Sequence, residues 1–451
     1  MIKTGEPKPE PKLSLLLVVE PGLDGVFRHV EGLVGYLFDN NIRVHLAYSS
    51  RRCGAAMLDV VARVRAAGGE AIDLKVTNVP EFADIRALFS LISLMRRTKP
   101  DVMHVHSSKA GALGRIAALL IGHEHCFYSP QAYYGMAKPL TPKVRFYNWI
   151  ERMLGRIGTT ITISQDEATF AREILKVPAA SVRVIHNPVD SSCFTPATNE
   201  TRRAARAALG IPENTVVLAI IARMCWQKDP ETAYAGVAPL CAANPDLMLV
   251  HLGWGKWHDY LKGFGEKHGM DKQLRILDYT DDPRAFYHAI DGLLVSSRYE
   301  AGWPLVFLEG MACNLPIVAA TGLGMSDVGR AELSHVWTFP PEDVEGCTRA
   351  VSQWLARQRQ GLHDCNHRAF AIDRLSPERC YGAIVRLYQN KENRGGVSPF
   401  EDPTPAPASR PSHDVQRMSF PGPRPAANRQ RSGSNPPLPI SPASGLPTPP
   451  P

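Results

Sequence analysis

At 451 residues the chain is too long for one compact core, so two domains with extra segments are expected. Hydrophobic residues make up 44% of it, enough for globular interiors. No apolar run approaches the roughly 20 residues that span a bilayer. The net charge of +7 is unevenly spread: residues 1–195 carry 24 Lys and Arg against 18 Asp and Glu, residues 196–394 carry 22 against 23, and residues 395–451 carry 5 against 3.

A basic N-terminal half suits an anionic partner, such as a membrane surface or a phosphorylated acceptor. Nucleic acid is less expected, because an excess of +6 over 195 residues is mild. Nine cysteines without a Cys-x-x-Cys pair read as reduced thiols. His123, Glu124 and His125 beside Cys126 read as loop surface rather than a metal site. Residues 1–12 are polar and proline-bearing, unlike a signal peptide, so a cytoplasmic location is expected, with peripheral contact at the inner face of the membrane.

In chain order, Leu13–Val19 is a continuous apolar run, a buried strand, and Phe27–Phe38 has helical periodicity. Strands are expected at Ile42–Tyr48, Ala71–Leu74, Asp101–Val105, Thr159–Ile163 and Val182–Ile185. Helices are expected at Ala55–Ala67, Asp84–Arg97 and Gly111–Leu120. After Asn187-Pro188 and a linker at Phe194–Pro196 the pattern restarts. Strands follow at Val216–Ile221, Leu247–Leu252, Arg275–Leu277, Gly292–Val295 and Ile317–Ala319. Helices follow at Glu231–Ala242, Pro283–Ile290, Pro304–Cys313 and Pro377–Gln389, the last expected to close the second domain. Short strands alternating with helices mean parallel, doubly wound sheets. Two such domains would face each other across a cleft at the carboxyl ends of their strands. The expected units are residues 13–195, residues 196–376, a helix within 377–391, and a disordered tail over 395–451 that holds 16 of the 38 prolines. Pro436–Pro439 in that tail could dock an aromatic groove, though a solvated tail is the simpler reading.

Chemistry concentrates in the second unit. Arg223 and Lys228 follow its first strand, and two cations five residues apart can grip a diphosphate and neutralise it as it leaves. Glu300 lies in the loop after Gly292–Val295. Pro304 suits a first helical turn, whose free amides near Leu305 and Val306 would meet an anion. Glu309, further along that helix, can bridge a pair of ribose hydroxyls. No Gly-x-Gly-x-x-Gly follows Leu13–Val19, which argues against a nicotinamide dehydrogenase. In the first unit, Lys138–Arg156 mixes five cations with Phe146, Tyr147 and Trp149, a helix that could lie on an anionic membrane.

These motifs resemble, over roughly residues 13–390, those of the family 4 retaining glycosyltransferases. Asp24–Val30 is similar to the family's Gly-Gly-x-x-Arg-His-Val loop, with Gly25 where backbone approaches the donor. Pro100–Gly111 is similar to its Pro-Asp-hydrophobic-His-x-His-Ser-x-Lys-Ala-Gly segment, and Ile185–Asp190 to its turn before the linker. Arg223 and Lys228 match its phosphate-binding pair, Glu300 and Glu309 its paired glutamates, and Asn314–Val318 with Gly322–Gly324 its next strand and glycine loop.

The resemblance implies an α/β GT-B fold, two Rossmann-like domains about a cleft. It also implies sugar transfer from a nucleotide-diphosphate sugar, a UDP-sugar favoured, to a glycan or lipid-linked acceptor. Glu300, Arg223 and Lys228 take catalytic roles; Gly25, Leu305, Val306 and Glu309 join that pair around the donor. No cofactor or metal is expected, since the chain has no Asp-x-Asp. His106, Lys109 and Gln131 fall on the acceptor side, and His104 reads as a core histidine. Two positions depart from the family pattern. Eight residues rather than seven separate the glutamates, with Ala301 the added one, and Gln131 stands where a histidine is expected. Those departures keep a non-catalytic sugar-nucleotide-binding subunit as the alternative; an epimerase on the same fold, which would react without an acceptor, is a third reading.

Overall fold

The computed structural model describes residues 11–390, except 23, 281, 332 and 362–364 and the side chains of Asp24 and Arg330. The tail expected at 395–451, with Pro436–Pro439, lies outside the described residues, as do residues 1–10.

Two sheets organise the chain. The first contains β1 (Leu13–Val19), β2 (Ile42–Tyr48), β3 (Ala71–Asp73), β4 (Val102–His106), β5 (Cys126–Ser129), β6 (Thr159–Thr162) and β7 (Val182–Val184), in the order β3-β2-β1-β4-β5-β6-β7. The second contains β8 (Val216–Ile221), β9 (Leu247–Gly253), β10 (Leu274–Asp278), β11 (Gly292–Val295), β12 (Ile317–Ala320) and β13 (Val336–Phe339), in the order β10-β9-β8-β11-β12-β13. All pairings between these strands are parallel. In each sheet the order reverses at the centre, between β1 and β4 and between β8 and β11, which opens a crevice at the strands' carboxyl ends.

The continuous apolar runs follow from burial on both faces. Leu15, Leu17 and Val19 pack into one layer of the first lobe, with the helix Asp24–Asp39. Leu16 and Val18 pack into the other, with the helix Ala83–Thr98. In the second lobe Val217, Ala219 and Ile221 face one layer and Leu218 and Ile220 the opposite one. Each fully buried side chain of this size contributes roughly 1.5–3 kcal/mol.

The structure adds β5 and β13, four residues each, too short and mixed in composition to carry a period. It also adds the helix Asn199–Ala208, polar and arginine-rich, which is started by a Thr198–Thr201 capping box and held by Arg206 on Asp291 at 2.7 Å.

One expectation is corrected. The helix Pro377–Gln389 follows the second lobe in sequence but packs on the first. Tyr381, Ile384, Val385 and Tyr388 join the core around β1, the Tyr381 hydroxyl donates to the His29 carbonyl at 3.0 Å, and Tyr388 meets His104 at 2.6 Å. Gly32 permits this approach, since a Cβ there would lie 2.5 Å from the Tyr381 hydroxyl. The chain therefore crosses between lobes twice, near Asn187 and again near Leu375, where the Val189 amide donates to the Leu375 carbonyl at 2.8 Å.

Candidate active site between the lobes

Arg223 and Lys228 stand beyond the carboxyl end of β8, and Glu300 beyond that of β11, on the two strands where the second sheet reverses. Arg223 is exposed. Lys228 is paired: its ammonium meets Glu300 Oε1 at 2.5 Å, and the Ser297 hydroxyl donates to the same oxygen at 2.6 Å. Glu300 is only 7% exposed, so these two donors stand in for the water its carboxylate has lost. Residues 301–303, between the glutamates, form a bend in which Trp303 turns inward against Phe307 and Phe370. The helix Leu305–Ala312 starts at Pro304 without a side-chain cap; the Phe307 and Leu308 amides donate to the Pro304 carbonyl, which leaves those of Leu305 and Val306 to meet an anion. Glu309 accepts the Tyr287 hydroxyl at 2.6 Å. Burial raises its carboxyl above the ordinary range, against the pull of that bond and of Arg28.

Leu305 and Glu309 line one wall of an interlobe cleft of about 840 Å³, and Arg28, His29, Asn187 and Tyr381 line the other parts of it. Gly25, in the first turn of the helix Asp24–Asp39, is exposed, and a Cβ there would meet nothing within 4 Å.

On the acceptor side His106 ends β4, fully buried, with Nδ1 3.4 Å from the Gln131 amide and Nε2 without a hydrogen-bond partner. Burial, then His104 and His29, holds its pKa well below the usual histidine range, so the ring is neutral. His104 is the core histidine expected, satisfied by Tyr388 and by Ser129 at 2.9 Å. Lys109 does not stand free: its ammonium pairs with Asp84 at 2.7 Å and donates to the Val79 carbonyl, tying its helix to the neighbouring one. Among the described residues no group of three or more His, Cys, Asp or Glu is arranged to hold a metal, His123 and His125 included.

Gln131 and Ala132 both take positive φ, 50° and 100°. That loop is fixed by Glu167, whose carboxylate accepts the Ala132 amide at 2.8 Å and the Ile163 amide at 2.9 Å. Burial nonetheless raises Glu167 to about 7. The folded state therefore holds a proton that the unfolded chain has released, and stability falls as pH rises from the unfolded value of 4.5 through 7. His251, lowered by burial to about 4, acts in the opposite sense and costs stability as pH falls below 6.5. A Glu167→Gln variant is expected to lose the first slope only. Urea midpoints of both proteins at pH 5 and pH 8 check this, and equal slopes would contradict it.

Two family models tile most of the chain. "Glycosyltransferase Family 4" matches residues 23–192 and "Glycosyl transferases group 1" matches residues 201–370, one for each lobe. The chain belongs to the family 4, group 1 glycosyltransferases. Within this family it is 29% identical over 249 residues to the Escherichia coli UDP-Gal:alpha-D-GlcNAc-diphosphoundecaprenol alpha-1,3-galactosyltransferase, covering 54% of this chain and 63% of the relative. It is 33% identical over 231 residues to a D-inositol 3-phosphate glycosyltransferase of Salinispora arenicola, covering 46% and 50%. The chain thus spans about half to three-fifths of the length of these curated relatives. Its fold is that of a Rickettsia africae glycosyltransferase, at TM-score 0.70, 16% identity and coverage of 84% and 98%. It is also that of Anabaena HepE, solved in complex with UDP, at TM-score 0.69, 16% identity and coverage of 84% and 100%. The architecture is GT-B, two Rossmann-like domains with parallel sheets.

Beside the candidate residues stand others that sequence reasoning did not single out. Arg28, between Tyr279 and Glu309, belongs to the Arg-His-Val segment of the family loop, and that segment was its only signal. Tyr287 and Ser297 have no motif of their own and are found through the glutamates they hold.

Proposed function

We propose that the chain transfers a sugar, with retention, from a nucleotide-diphosphate sugar, a UDP-sugar first of all, to a lipid-linked or polysaccharide acceptor. The observation that carries this reading is the Lys228–Glu300 pair across the carboxyl ends of β8 and β11, followed in the chain by an uncapped helix start, with each glutamate held by a hydroxyl donor. The uridine nucleotide is supported by the UDP-Gal named for the Escherichia coli relative and by the UDP complex of HepE. The lipid-linked acceptor is supported by the diphosphoundecaprenol in that relative's name.

In this reading Glu309 holds the ribose hydroxyls and the amides of Leu305 and Val306 meet the diphosphate. The bond between the anomeric carbon and the diphosphate oxygen breaks while Arg223 and Lys228 stabilise the charge that develops on that oxygen. The acceptor hydroxyl attacks from the same face and passes its proton to the departing phosphate oxygen. Glu300 faces the donor sugar. Gln131 can hydrogen-bond a sugar hydroxyl but cannot take a proton, which suits a route without a protein base. The cations and amides supply the charge that a divalent ion would, so transfer is expected to persist in EDTA.

The test is nucleotide release and product formation with a panel of UDP- and GDP-sugars and a lipid-diphosphate acceptor. Acceptor-dependent release is expected from the wild type and not from Glu309→Ala or Arg223→Ala. If wild type matches both variants with every donor, the reading fails, and donor binding without turnover would instead favour a non-catalytic subunit.

The acceptor lobe also suits a membrane surface. On the helix Pro142–Leu154, Phe146, Trp149 and Met153 are 55–57% exposed, with Lys143, Arg145 and Arg152 exposed among them. Its acid, Glu151, points inward to Arg115. No helix of the described residues is long and apolar enough to cross a membrane. Binding to phosphatidylglycerol vesicles is expected, falling about 10-fold in a Phe146→Ser, Trp149→Ser double variant and weak on phosphatidylcholine. Equal sedimentation of both proteins with both vesicles would contradict it.

A further inference from the structure

β6 delivers the chain to a short helix, Gln165–Thr169, at the seam between the lobes. Ser164 caps this helix by accepting the Glu167 amide at 3.1 Å, and its hydroxyl donates across the seam to the Ala301 carbonyl at 2.6 Å. The Gln165 amide donates to Asp327 Oδ2 at 3.1 Å. Asp166 reaches furthest. Its Oδ2 accepts the Gly324 amide at 2.7 Å and the Ser326 amide at 3.3 Å, and its Oδ1 accepts the Ser326 hydroxyl at 2.7 Å.

The segment that Asp166 grips is stacked on the loop of Glu300. The Glu300 amide donates to the Leu323 carbonyl at 2.8 Å, and Tyr299 pairs with Leu323 as an isolated parallel bridge. Gly324, at φ 87°, lies so close that a Cβ would sit 2.1 Å from the Glu300 carbonyl oxygen. On the near side Gly302 abuts the first lobe directly, its Cβ position 2.8 Å from the Ile163 carbonyl oxygen. Next along the helix, Glu167 fixes the loop of Gln131 and Ala132 through the bonds described above. Two adjacent carboxylates on one short helix thus face opposite ways. Asp166 holds the donor-lobe loops and Glu167 holds the acceptor-lobe loop.

We infer that Asp166 is a positioning residue that keeps the Glu300 loop in register with the Gln131 loop across the seam, an inference that rests on the transfer reading for its kinetic consequence. Asp166 acts through the backbone at 322–326 and touches neither reacting group. Asp166 contacts neither Arg223 nor Lys228, and the segment 226–228 keeps its own bonds to residues 296–300, so donor affinity is expected to change less than the alignment of sugar and acceptor.

The experiment compares full-length wild type, Asp166→Ala and Asp166→Asn by hydrogen–deuterium exchange and by transfer kinetics. Asp166 is partly exposed, and both variants are expected to fold. In Asp166→Ala, amides at 298–302 and 322–326 are expected to exchange about 10-fold faster while those of β8 and β11 do not change. Its kcat for transfer should fall about 10- to 100-fold with donor KM within about 3-fold. Asp166→Asn, which keeps one acceptor oxygen, should recover part of both. Unchanged exchange in the two loops overturns the inference, as does faster exchange with unchanged kcat. A wild type without transfer toward any donor overturns the transfer reading instead, and the exchange result alone then decides the clamp.

Discussion

Lys228→Ala is expected to lower kcat/KM for sugar transfer by about 10²–10³-fold, the loss typical of one preorganised donor to a developing oxyanion. The size follows from two roles in one ammonium. Lys228 stands with Arg223 beyond β8, where the diphosphate charge develops, and it neutralises Glu300 at 2.5 Å in surroundings that leave that carboxylate 7% exposed. Without it Glu300 retains the Ser297 hydroxyl at 2.6 Å. Lys228→Met, similar in shape, should show the same loss, which assigns the effect to charge. A Lys228→Met, Glu300→Gln double variant should regain thermal stability without regaining activity, because it removes the unpaired charge and also the cation. Activity recovered in the double variant, or unchanged kcat/KM in either single one, would contradict this assignment.

Glu151→Ala is expected to destabilise the fold by about 3–5 kcal/mol, because it breaks a buried pair and leaves a charge uncompensated. Arg115, 1% exposed, donates to Glu151 Oε2 at 2.8 Å. The Tyr128 hydroxyl donates to the other oxygen at 3.0 Å, and the guanidinium lies 3.8 Å from the centre of that ring. These three side chains join the helix Ser108–Ile121, strand β5 and the helix Pro142–Leu154. An Arg115→Met, Glu151→Leu pair should be far milder, since no buried charge is then left alone. Urea denaturation checks both, and a single variant as stable as the double one would show that the pair does not hold the helix.

The sequence made the central strands legible because both faces of each are covered, so β1, β2, β8 and β11 appear at the residues expected. The strands at Cys126 and Val336 were not legible, because Cys-Phe-Tyr-Ser and Val-Trp-Thr-Phe mix polar and aromatic residues, whereas β11, equally short, carries an aliphatic Leu-Leu-Val run. Arg223, Lys228, Glu300 and Glu309 could be picked out as candidates because charged side chains stand beyond the carboxyl ends of two strands, β8 and β11, and at the helix after the second. Arg28 and Asp166 could not, since their significance arises only where the two lobes meet. The apolar positions 381, 384, 385 and 388 announced that the helix Pro377–Gln389 packs, but not on which lobe, and sequence adjacency suggested the wrong one. Lys109 carried a cation's signal, and its partner Asp84 lies on a different helix, beyond the reach of a local motif.

A structure of the complex with UDP or GDP is the most direct test of the site. The diphosphate should lie within hydrogen-bond distance of Arg223, Lys228 and the amides of Leu305 and Val306, with the ribose hydroxyls on Glu309. A nucleotide bound away from the ends of β8 and β11, or a Glu309 carboxylate turned from the ribose, would contradict it.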